Sequence, residues 1–363
     1  MNKPIFYCTF LGCFLQMLSP LLATTYINEA ITTKTTWTKE GSPYILLKNV
    51  VIQANSSLVI EEGAVVLFSE YTQLIVAGNL LAKGTAQQPI LFGGQDALPW
   101  KGILFYRTCN DYNPSTGEGV KLEHCIFKGS QKTMNALLQA KGCDLMLLHC
   151  ELDNCHLGLQ TERQTKLWLE HSTIKNCQRA LNIQNTSIAH IQHNKFLNCN
   201  SILLGGTTLF QHNVLKRFTS EGRHSGLIVW MLGGGKVTLS HNQFQKFEDY
   251  VLKVYKLTQR SSVVVEKNDF KNNPVNLKLS CQYYNTGTVQ ISQNNFHNYR
   301  RHHVQVYGSC EDINPITIAI GPNYWGNLSL EDLQLATVDQ EQDPVVGARV
   351  LHSPPLEEEV KLE

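Results

Sequence analysis

Six histidines recur at one position of a repeated nine-residue phrase, and imidazole readily binds metals or changes charge near neutral pH. The phrase occurs eight times between residues 122 and 299, from LEHCIFKGS to ISQNNFHNY. Its third position is occupied by His124, His149, His171, His193, His212 and His241, and then by Lys267 and Gln293. Neutral imidazoles in one register could bind Zn²⁺ or Cu²⁺, and protonated ones would repel one another.

Two interpretations of this histidine column stay open. The first is a metal-binding or pH-responsive stripe. The second is a stack of amphipathic side chains beside a turn, and we favour it because no Asp or Cys recurs in a second regular column to complete a ligand set. The sequence therefore predicts no metal and no cofactor, and the six histidines are the residues to test if a metal binds.

The other columns of the phrase indicate how the histidines are positioned. The first and sixth positions are apolar in every copy, which predicts that both point into a core. The fourth position is occupied by Cys125, Cys150, Ser172, Asn194, Asn213, Asn242, Asn268 and Asn294. Asn tolerates the left-handed conformation of a sharp bend, and stacked Asn side chains can hydrogen-bond along an axis. An Asn column between apolar columns predicts a parallel β-helix that bends at the Asn.

The spacing of the copies, 19 to 29 residues, favours a solenoid with loops of variable length. The phrases are rich in β-branched and aromatic residues at near-alternate positions, which excludes paired helices. We predict an all-β chain, a single-stranded right-handed parallel β-helix (solenoid) of about ten coils with N- and C-terminal caps. The expected boundaries are a signal peptide at 1–23, a cap or linker at 24–36, the β-helix at 37–327, and a C-terminal cap and loose tail at 328–363.

The N-terminus, MNKPIFYCTFLGCFLQMLSPLLATTY, indicates export. A single Lys3 precedes an apolar run that ends in small residues near Ala23, the layout of a secretory signal peptide. An uncleaved membrane anchor is the alternative. No later stretch is apolar enough to span a bilayer, so we expect a secreted protein, extracellular or at the cell surface. The balance of 31 Lys and Arg against 30 Asp and Glu gives no reason to expect a nucleic-acid partner.

Nine cysteines follow the predicted signal peptide, and cysteines of exported proteins more often form disulfides than catalyse. ILFYRTC and LLQAKGC align without a gap, which pairs Cys109 with Cys143 on adjacent coils. VNLKLSC and VQVYGSC pair Cys281 with Cys310 in the same way. The remaining five are either disulfide-bonded or reduced packing residues: Cys125 and Cys150 in the turn column, and Cys155, Cys177 and Cys199 in a three-member column whose middle residue could bond to either neighbour.

Three N-x-S/T sites, at Asn55, Asn185 and Asn327, could carry glycans. Each lies in a turn-like stretch where a glycan would be tolerated. They matter only if the protein is made in a eukaryotic secretory pathway.

Two longer motifs resemble a known group of proteins. LVIEEGAVVLF, LIVAGNLLAKGT and WKGILF resemble the N-terminal portion of secreted right-handed parallel β-helix proteins of the pectate-lyase-like superfamily. NYWGNLSLEDL and ARVLHSPPL resemble their closing segment, so the resemblance covers residues 37 to about 356. The sequons and cysteines are also similar to the β-helix modules of animal cell-surface proteins of the bark beetle type, which are much longer. The resemblance implies architecture, and one fold hosts many functions.

The sequence lacks the column of acidic residues that polysaccharide lyases on this fold are known for. Such a site needs several carboxylates that converge on one face, and no column of the phrase supplies them. We therefore expect no catalytic residues and a secreted binding or adhesion module that recognises extracellular glycan or protein ligands with its lateral face. The alternative is a carbohydrate-active enzyme, a polysaccharide lyase, hydrolase or epimerase, whose active site is built by loops.

Overall fold

The structure is a computed structural model that describes residues 24–129, 131–219, 225–255, 257–280, 287–308 and 316–362. The predicted signal peptide and the predicted Cys281–Cys310 disulfide lie outside the described residues. Strands make up 54% of the fold and helix 3%, which confirms the all-β prediction.

The strands are short and follow one another closely. In chain order they are β1 Thr25–Ile27, β2 Lys34–Trp37, β3 Tyr44–Leu46, β4 Val50–Ile52, β5 Ser57–Ile60, β6 Val65–Phe68, β7 Leu74–Val76, β8 Asn79–Lys83, β9 Ile90–Gly94, β10 Ile103–Tyr106, β11 Lys121–Glu123, β12 Cys125–Lys128, β13 Ala136–Lys141, β14 Leu145–Leu148, β15 Glu151–Glu162, β16 Lys166–Glu170 and β17 Thr173–Ile183. They continue with β18 Ile188–Gln192, β19 Lys195–Leu197, β20 Ser201–Leu204, β21 Thr207–Gln211, β22 Val214–Lys216, β23 Gly226–Trp230, β24 Gly235–Ser240, β25 Gln243–Gln245, β26 Tyr250–Tyr255, β27 Ser261–Glu266, β28 Asp269–Lys271, β29 Asn273–Ser280, β30 Thr288–Ser292, β31 Asn295–Phe296, β32 Tyr299–Tyr307, β33 Ile316–Ile320, β34 Thr337–Val338 and β35 Ala348–His352. One 3₁₀ turn, Gln95–Ala97, and one helix, α1 Leu330–Leu335, complete the described elements.

The strands form three lateral faces of a coil. The first face is the 11-stranded sheet β2-β5-β8-β11-β14-β16-β18-β21-β24-β27-β30. The second face runs through β3, β6, β9, β12, β15, β17, β19, β22, β25, β28 and β31. The third runs through β4, β7, β10, β13, β15, β17, β20, β23, β26, β29 and β32, because β15 and β17 are long enough to serve both faces.

Each strand pairs in parallel with its equivalent on the next coil, so the chain is a parallel β-solenoid of about ten coils, as predicted. The right-handed turn stays a prediction, in keeping with the strong preference of parallel crossovers for that hand. Strand β1 pairs with β3, and β2 pairs with β5. Pairing with the coil therefore starts within the range predicted as a cap or linker.

The core lies between the three faces and is built by the apolar columns of the phrase. The sixth-position residues Phe244, Phe270 and Phe296 are fully buried and stack at 4.8 and 4.6 Å between ring centroids. Because burying one such side chain contributes about 1.5–3 kcal/mol, the repeated column fixes the register of neighbouring coils.

The bend between the first and second faces corrects one detail of the prediction. The left-handed residue is the third of the phrase, not the fourth: the six histidines have φ between 49° and 57°, and Lys267 and Gln293 follow at 53° and 57°. The fourth-position Asn residues are absent from the positive-φ set among the described residues. The outward-pointing residue makes the turn, and the inward Asn keeps its amide aligned with the backbone of neighbouring coils.

The C-terminal end is closed by side chains and a short helix. Trp325 is buried and stacks 4.2 Å from Phe296. Ser329 caps α1 in a reciprocal hydrogen-bonded pair with Asp332, the arrangement typical of a Ser-x-x-Asp start. The tail is not loose throughout, because the Asn295 amide exchanges two 2.8 Å hydrogen bonds with the backbone of Val360. No helix in the described ranges has the length and hydrophobicity needed to cross a membrane.

Candidate functional site

The six predicted histidines form one file on the outside of the bend, which we call the histidine ladder. Successive ring centroids lie 4.7 to 5.2 Å apart and successive planes are within 28° of parallel. His149, His171 and His193 are exposed, and the others are half-buried. The sequence therefore placed these side chains in the correct register.

The ladder as it stands does not present a chelating set. Zn²⁺ binds ring nitrogens at about 2.1 Å, so two nitrogens on one ion lie no more than about 4.2 Å apart. Nearly parallel rings separated by 4.7 to 5.2 Å hold equivalent nitrogens further apart than this. Among the described residues, one close group of three possible ligands occurs, Cys109, Asp111 and Cys143, and both cysteines are joined in a disulfide.

Stacking of the ladder is favoured where the rings stay neutral. Burial lowers the pKa of His212, and the charges of His241 and His193 lower it further. Burial also lowers the pKa of His241, with a further contribution from Lys267 that Glu266 partly offsets. At these two positions the uncharged imidazole is the stable form, which supports the interpretation of the ladder as a side-chain stack.

A second candidate site, on the third face, was not predicted from the sequence. A pocket of about 290 Å³ lies where the ends of β17 and β20 meet the end of β23. Its lining consists of Asn182, Ile183, Gln184, Asn185, Thr186, Leu203, Trp230 and Leu232. Apolar side chains with a few convergent amide and hydroxyl groups are the usual lining of a binding site for a small polar ligand.

One wall of the pocket offers an enclosed hydrogen-bond acceptor. The Asn185 side-chain oxygen is buried and has no hydrogen-bond partner among the described residues. A Cβ added at Gly205 would lie 2.6 Å from this oxygen, so glycine is needed to leave room for the amide. A buried polar atom without a protein partner calls for another one, which can be an ordered water, an ion or a ligand.

Beside the pocket, two lysines and three tyrosines form what we call the lysine–tyrosine cluster. The ammonium group of Lys253 lies 5.8, 5.3 and 4.8 Å from the ring centroids of Tyr250, Tyr255 and Tyr307. The ammonium group of Lys278 lies 5.2 Å from Tyr250 and 5.7 Å from Tyr307. Burial and then the positive charge of Lys278 lower the pKa of Lys253. Two like charges are thus held together by aromatic faces.

The register joins the pocket to the cluster in one strip, which we call the third-face strip. Asn182 aligns with Leu203, Leu203 with Ile228, and Ile228 with Lys253. Lys253 then aligns with Lys278. The strip could have been found by aligning IVW, KVY, KLS and QVY on successive third-face strands, but these segments lie outside the copies of the phrase.

Carboxylates near these faces are engaged with their neighbours. Glu162 accepts hydrogen bonds of 2.8 and 2.7 Å from Gln139 and Gln160. On the second face, Glu151 lies 2.9 Å and Asp153 lies 3.8 Å from the ammonium group of Lys175. Asp153 and Lys175 are register partners on β15 and β17, and such partly exposed ion pairs stabilise a protein only weakly.

The cysteines fall into two groups. Cys109 and Cys143 form the predicted disulfide, with a Cα–Cα distance of 6.0 Å. The other five described cysteines are buried and are not joined to one another: Cys125, Cys150, Cys155, Cys177 and Cys199. Burial raises the pKa of Cys199 and of Cys125, and this opposes use of either thiol as a nucleophile.

The three predicted glycosylation sites differ in exposure. Asn55 has a left-handed backbone with φ of 66° and is exposed in a turn, and Asn327 is exposed beside the C-terminal helix. Asn185 is half-buried in the wall of the pocket. Attachment of glycans stays a prediction, and Asn185 is the site where an attached glycan would compete with a ligand.

Comparison of the chain with protein-family models, with curated proteins and with solved structures gave no match.

Proposed function

We propose that this protein is a secreted, non-catalytic β-helix module that binds a glycan along the third-face strip. The observation that carries the proposal is the pocket lined by Leu203, Trp230 and several amide side chains. Its strands are in register with those of the lysine–tyrosine cluster. The proposal rests on this site and not on the fold, because one fold hosts many functions.

The chemistry of the pocket suits sugar hydroxyls. An amide side chain both donates and accepts hydrogen bonds, so Asn182, Gln184 and Asn185 can each serve a ring hydroxyl. Trp230 offers an amphipathic ring for the C–H face of a sugar. The enclosed oxygen of Asn185 is an acceptor ready for a hydroxyl donor.

The charge of the neighbouring cluster favours an acidic glycan. The positive charge of Lys278 adds to burial in lowering the pKa of Lys253. A carboxylate or sulfate group placed between them would relieve that repulsion. The ligand class is therefore an oligosaccharide whose neutral ring occupies the pocket and whose anionic group reaches the lysines.

The location and the relationship to known proteins belong to the same proposal. The apolar N-terminal run supports export, and the disulfide between Cys109 and Cys143 suits an oxidising compartment. The closing motif NYWGNLSLEDL supports a relationship to the pectate-lyase-like superfamily, and the sequons and cysteines support one to the modules of bark beetle-type proteins.

The test is a screen of the purified chain against neutral, uronate-containing and sulfated oligosaccharides, followed by calorimetric titration of the best ligand. Trp230→Ala should weaken its binding at least tenfold, since the sugar loses its aromatic contact. Trp168→Ala is the matched control, because Trp168 is equally half-buried but belongs to β16 on the first face. Its affinity should stay within about twofold of the parent.

Three outcomes would contradict the proposal. They are the absence of any bound glycan, an equal loss in both variants, and the appearance of unsaturated or hydrolysed sugar products with or without Ca²⁺. The last would support the carbohydrate-active enzyme instead.

A further inference from the structure

The three-cysteine column carries an inference independent of the proposed glycan site. The Cys155 and Cys177 sulfur atoms lie 2.8 Å apart without an assigned bond between them. The two residues are direct register partners on β15 and β17. We infer that Cys155 and Cys177 form a disulfide that staples two coils, and that Cys199 stays a thiol.

The backbone already meets the requirements of the bond. Register partners on adjacent parallel strands lie about 4.8 Å apart, inside the Cα range of about 4.4–6.8 Å that disulfides occupy. The two sulfurs need to approach by less than about 1 Å to reach a bond of about 2.05 Å. A small change in side-chain torsion is enough for this approach.

The third cysteine is held differently. The Cys199 sulfur lies 3.7 Å from the carbonyl oxygen of Ile174 and 3.4 Å from that of Leu197, and its thiol donates to the backbone. Cys177 also lies near a carbonyl, that of Lys175, at 3.2 Å, but its sulfur is closest to Cys155. Cys199 also hydrogen-bonds to Cys177, and this contact adds to burial in raising the pKa of Cys199. The 2.8 Å distance between sulfur atoms assigns Cys177 to Cys155 and leaves Cys199 as the thiol.

The reaction is a two-step thiol–disulfide exchange with a small disulfide such as oxidised glutathione. The Cys177 thiolate attacks one sulfur of the reagent and releases a first thiol. The Cys155 thiolate then attacks the Cys177 sulfur and releases the second thiol. The two protein thiols lose two electrons and two protons, and the reagent gains them.

Burial of the two cysteines determines when in folding the disulfide forms. Cys155 and Cys177 are each 1% exposed. The hydrogen bond with Cys155 is the main cause that raises the pKa of the Cys177 thiol. The thiolate needed for exchange is thus scarce in the folded chain, and the bond closes during folding, before the coils bury the sulfurs.

The experiment is disulfide mapping of the full chain produced through an oxidising secretory pathway. Free thiols are alkylated after denaturation without reduction, and the chain is cut with trypsin and with a protease that cleaves before Asp. Cleavage before Asp144 and Asp153 separates Cys143, Cys150 and Cys155 onto different peptides. We expect a peptide that links Cys155 to Cys177 and an alkylated Cys199. An alkylated Cys155, or a link between Cys177 and Cys199, would overturn the inference.

Two variants test the same bond in the intact fold, which circular dichroism verifies. Both Cys155→Ser and Cys199→Ser keep the Cys109–Cys143 disulfide, so this bond contributes equally to each. Cys199→Ser keeps both Cys155 and Cys177, so a disulfide still closes the 22-residue loop between them until reductant breaks it. Reductant should therefore lower the melting temperature of Cys199→Ser by roughly 5 °C more than that of Cys155→Ser. Equal shifts in the two variants would contradict the staple.

Discussion

Two neighbouring columns at one bend, the Asn column inside and the histidine ladder outside, are built from the same repeat in opposite ways. Inside, each Asn backbone N–H donates to the side-chain oxygen of the next Asn, at 2.9 Å from Asn213 to Asn242 and 3.0 Å from Asn242 to Asn268. Outside, the side chains of the ladder stack, and their left-handed backbones donate to carbonyl oxygens of the next coil, as from His212 to Ser240 at 3.2 Å. The side chains of the inner column are joined by hydrogen bonds, and those of the outer column by ring contacts.

The difference shows where the bend is specified. The inner amides are fully buried, and each buried donor or acceptor left unpaired would cost about 1–3 kcal/mol. The chain of bonds runs from Cys150 through Ser172 and the Asn residues to Asn323 of the NYWG motif. An outer residue, by contrast, needs only to tolerate a left-handed backbone. We therefore expect inner substitutions to be costly and outer ones to be mild.

The largest expected effect is that of Asn242→Ala. It removes the acceptor for the backbone and side-chain amides of Asn213, and the donor to the carbonyl oxygen of Phe210 at 2.8 Å. We expect the free energy of unfolding to fall by about 3–5 kcal/mol, measured by urea denaturation followed by circular dichroism.

A matched variant, Asn242→Ser, separates the hydrogen bonds from the side-chain volume. Ser172 occupies the same column, and its hydroxyl oxygen accepts the backbone N–H of Cys150 at 3.0 Å. Asn242→Ser should keep this backbone contact and lose clearly less stability than Asn242→Ala. A loss of less than about 1 kcal/mol for the alanine variant would show that the inner column does not specify the bend.

The columns themselves could be read from the sequence because each occurs eight times at a fixed position of the nine-residue phrase. The Cys109–Cys143 pair followed from the alignment of two strands, and the Ser329 cap from a local motif. In these cases the interacting residues are either close in the chain or equivalent in successive coils. The left-handed residue was assigned to the wrong column, because Asn and His are both enriched at positive φ and both recur side by side in the phrase.

The pocket on the third face could not be predicted from the nine-residue phrase. Asn182, Leu203 and Trp230 come from three successive coils, and the loops between their strands differ in length, so no fixed spacing connects them. The enclosure of the Asn185 oxygen also depends on Gly205, which has no signal of its own in one sequence. The tail's contact with Asn295 crosses 65 residues and likewise needed the structure.

The buried His303, which packs against Trp325 near the C-terminal end, should respond to acid differently from the exposed histidines of the ladder. Burial lowers the pKa of His303 to about 3, and the charge of His352 acts in the same direction. The ring packs against Tyr299, Phe296 and Trp325. The pKa of His303 in the folded protein lies below its unfolded value of 6.5. The stability contributed by the neutral His303 ring is therefore fully present above pH 6.5 and is lost as the pH falls toward 3.

At pH 4.5 this one histidine should reduce the free energy of unfolding by about 3 kcal/mol relative to pH 7. His303→Gln should remove that share of the pH dependence, whatever it does to stability at pH 7. The measurement is the difference between urea unfolding at the two pH values. The control is His171→Gln, an exposed ladder position that should keep most of the parent's difference. An unchanged difference in His303→Gln would contradict the burial argument.

The smallest effect, and the most direct test of the outer column, is substitution of His171 itself. Its φ is 50° and its ring stacks between His149 and His193 at 5.2 and 5.0 Å. Val strongly disfavours a left-handed backbone, so His171→Val should cost about 1–2 kcal/mol. Asn tolerates that backbone but cannot replace the ring, so His171→Asn should stay within about 0.5 kcal/mol of the parent if conformation is what the column requires. If urea denaturation shows the same loss in free energy of unfolding for both variants, ring stacking stabilises the ladder. The outer column would then require histidine side chains, as the inner column requires Asn.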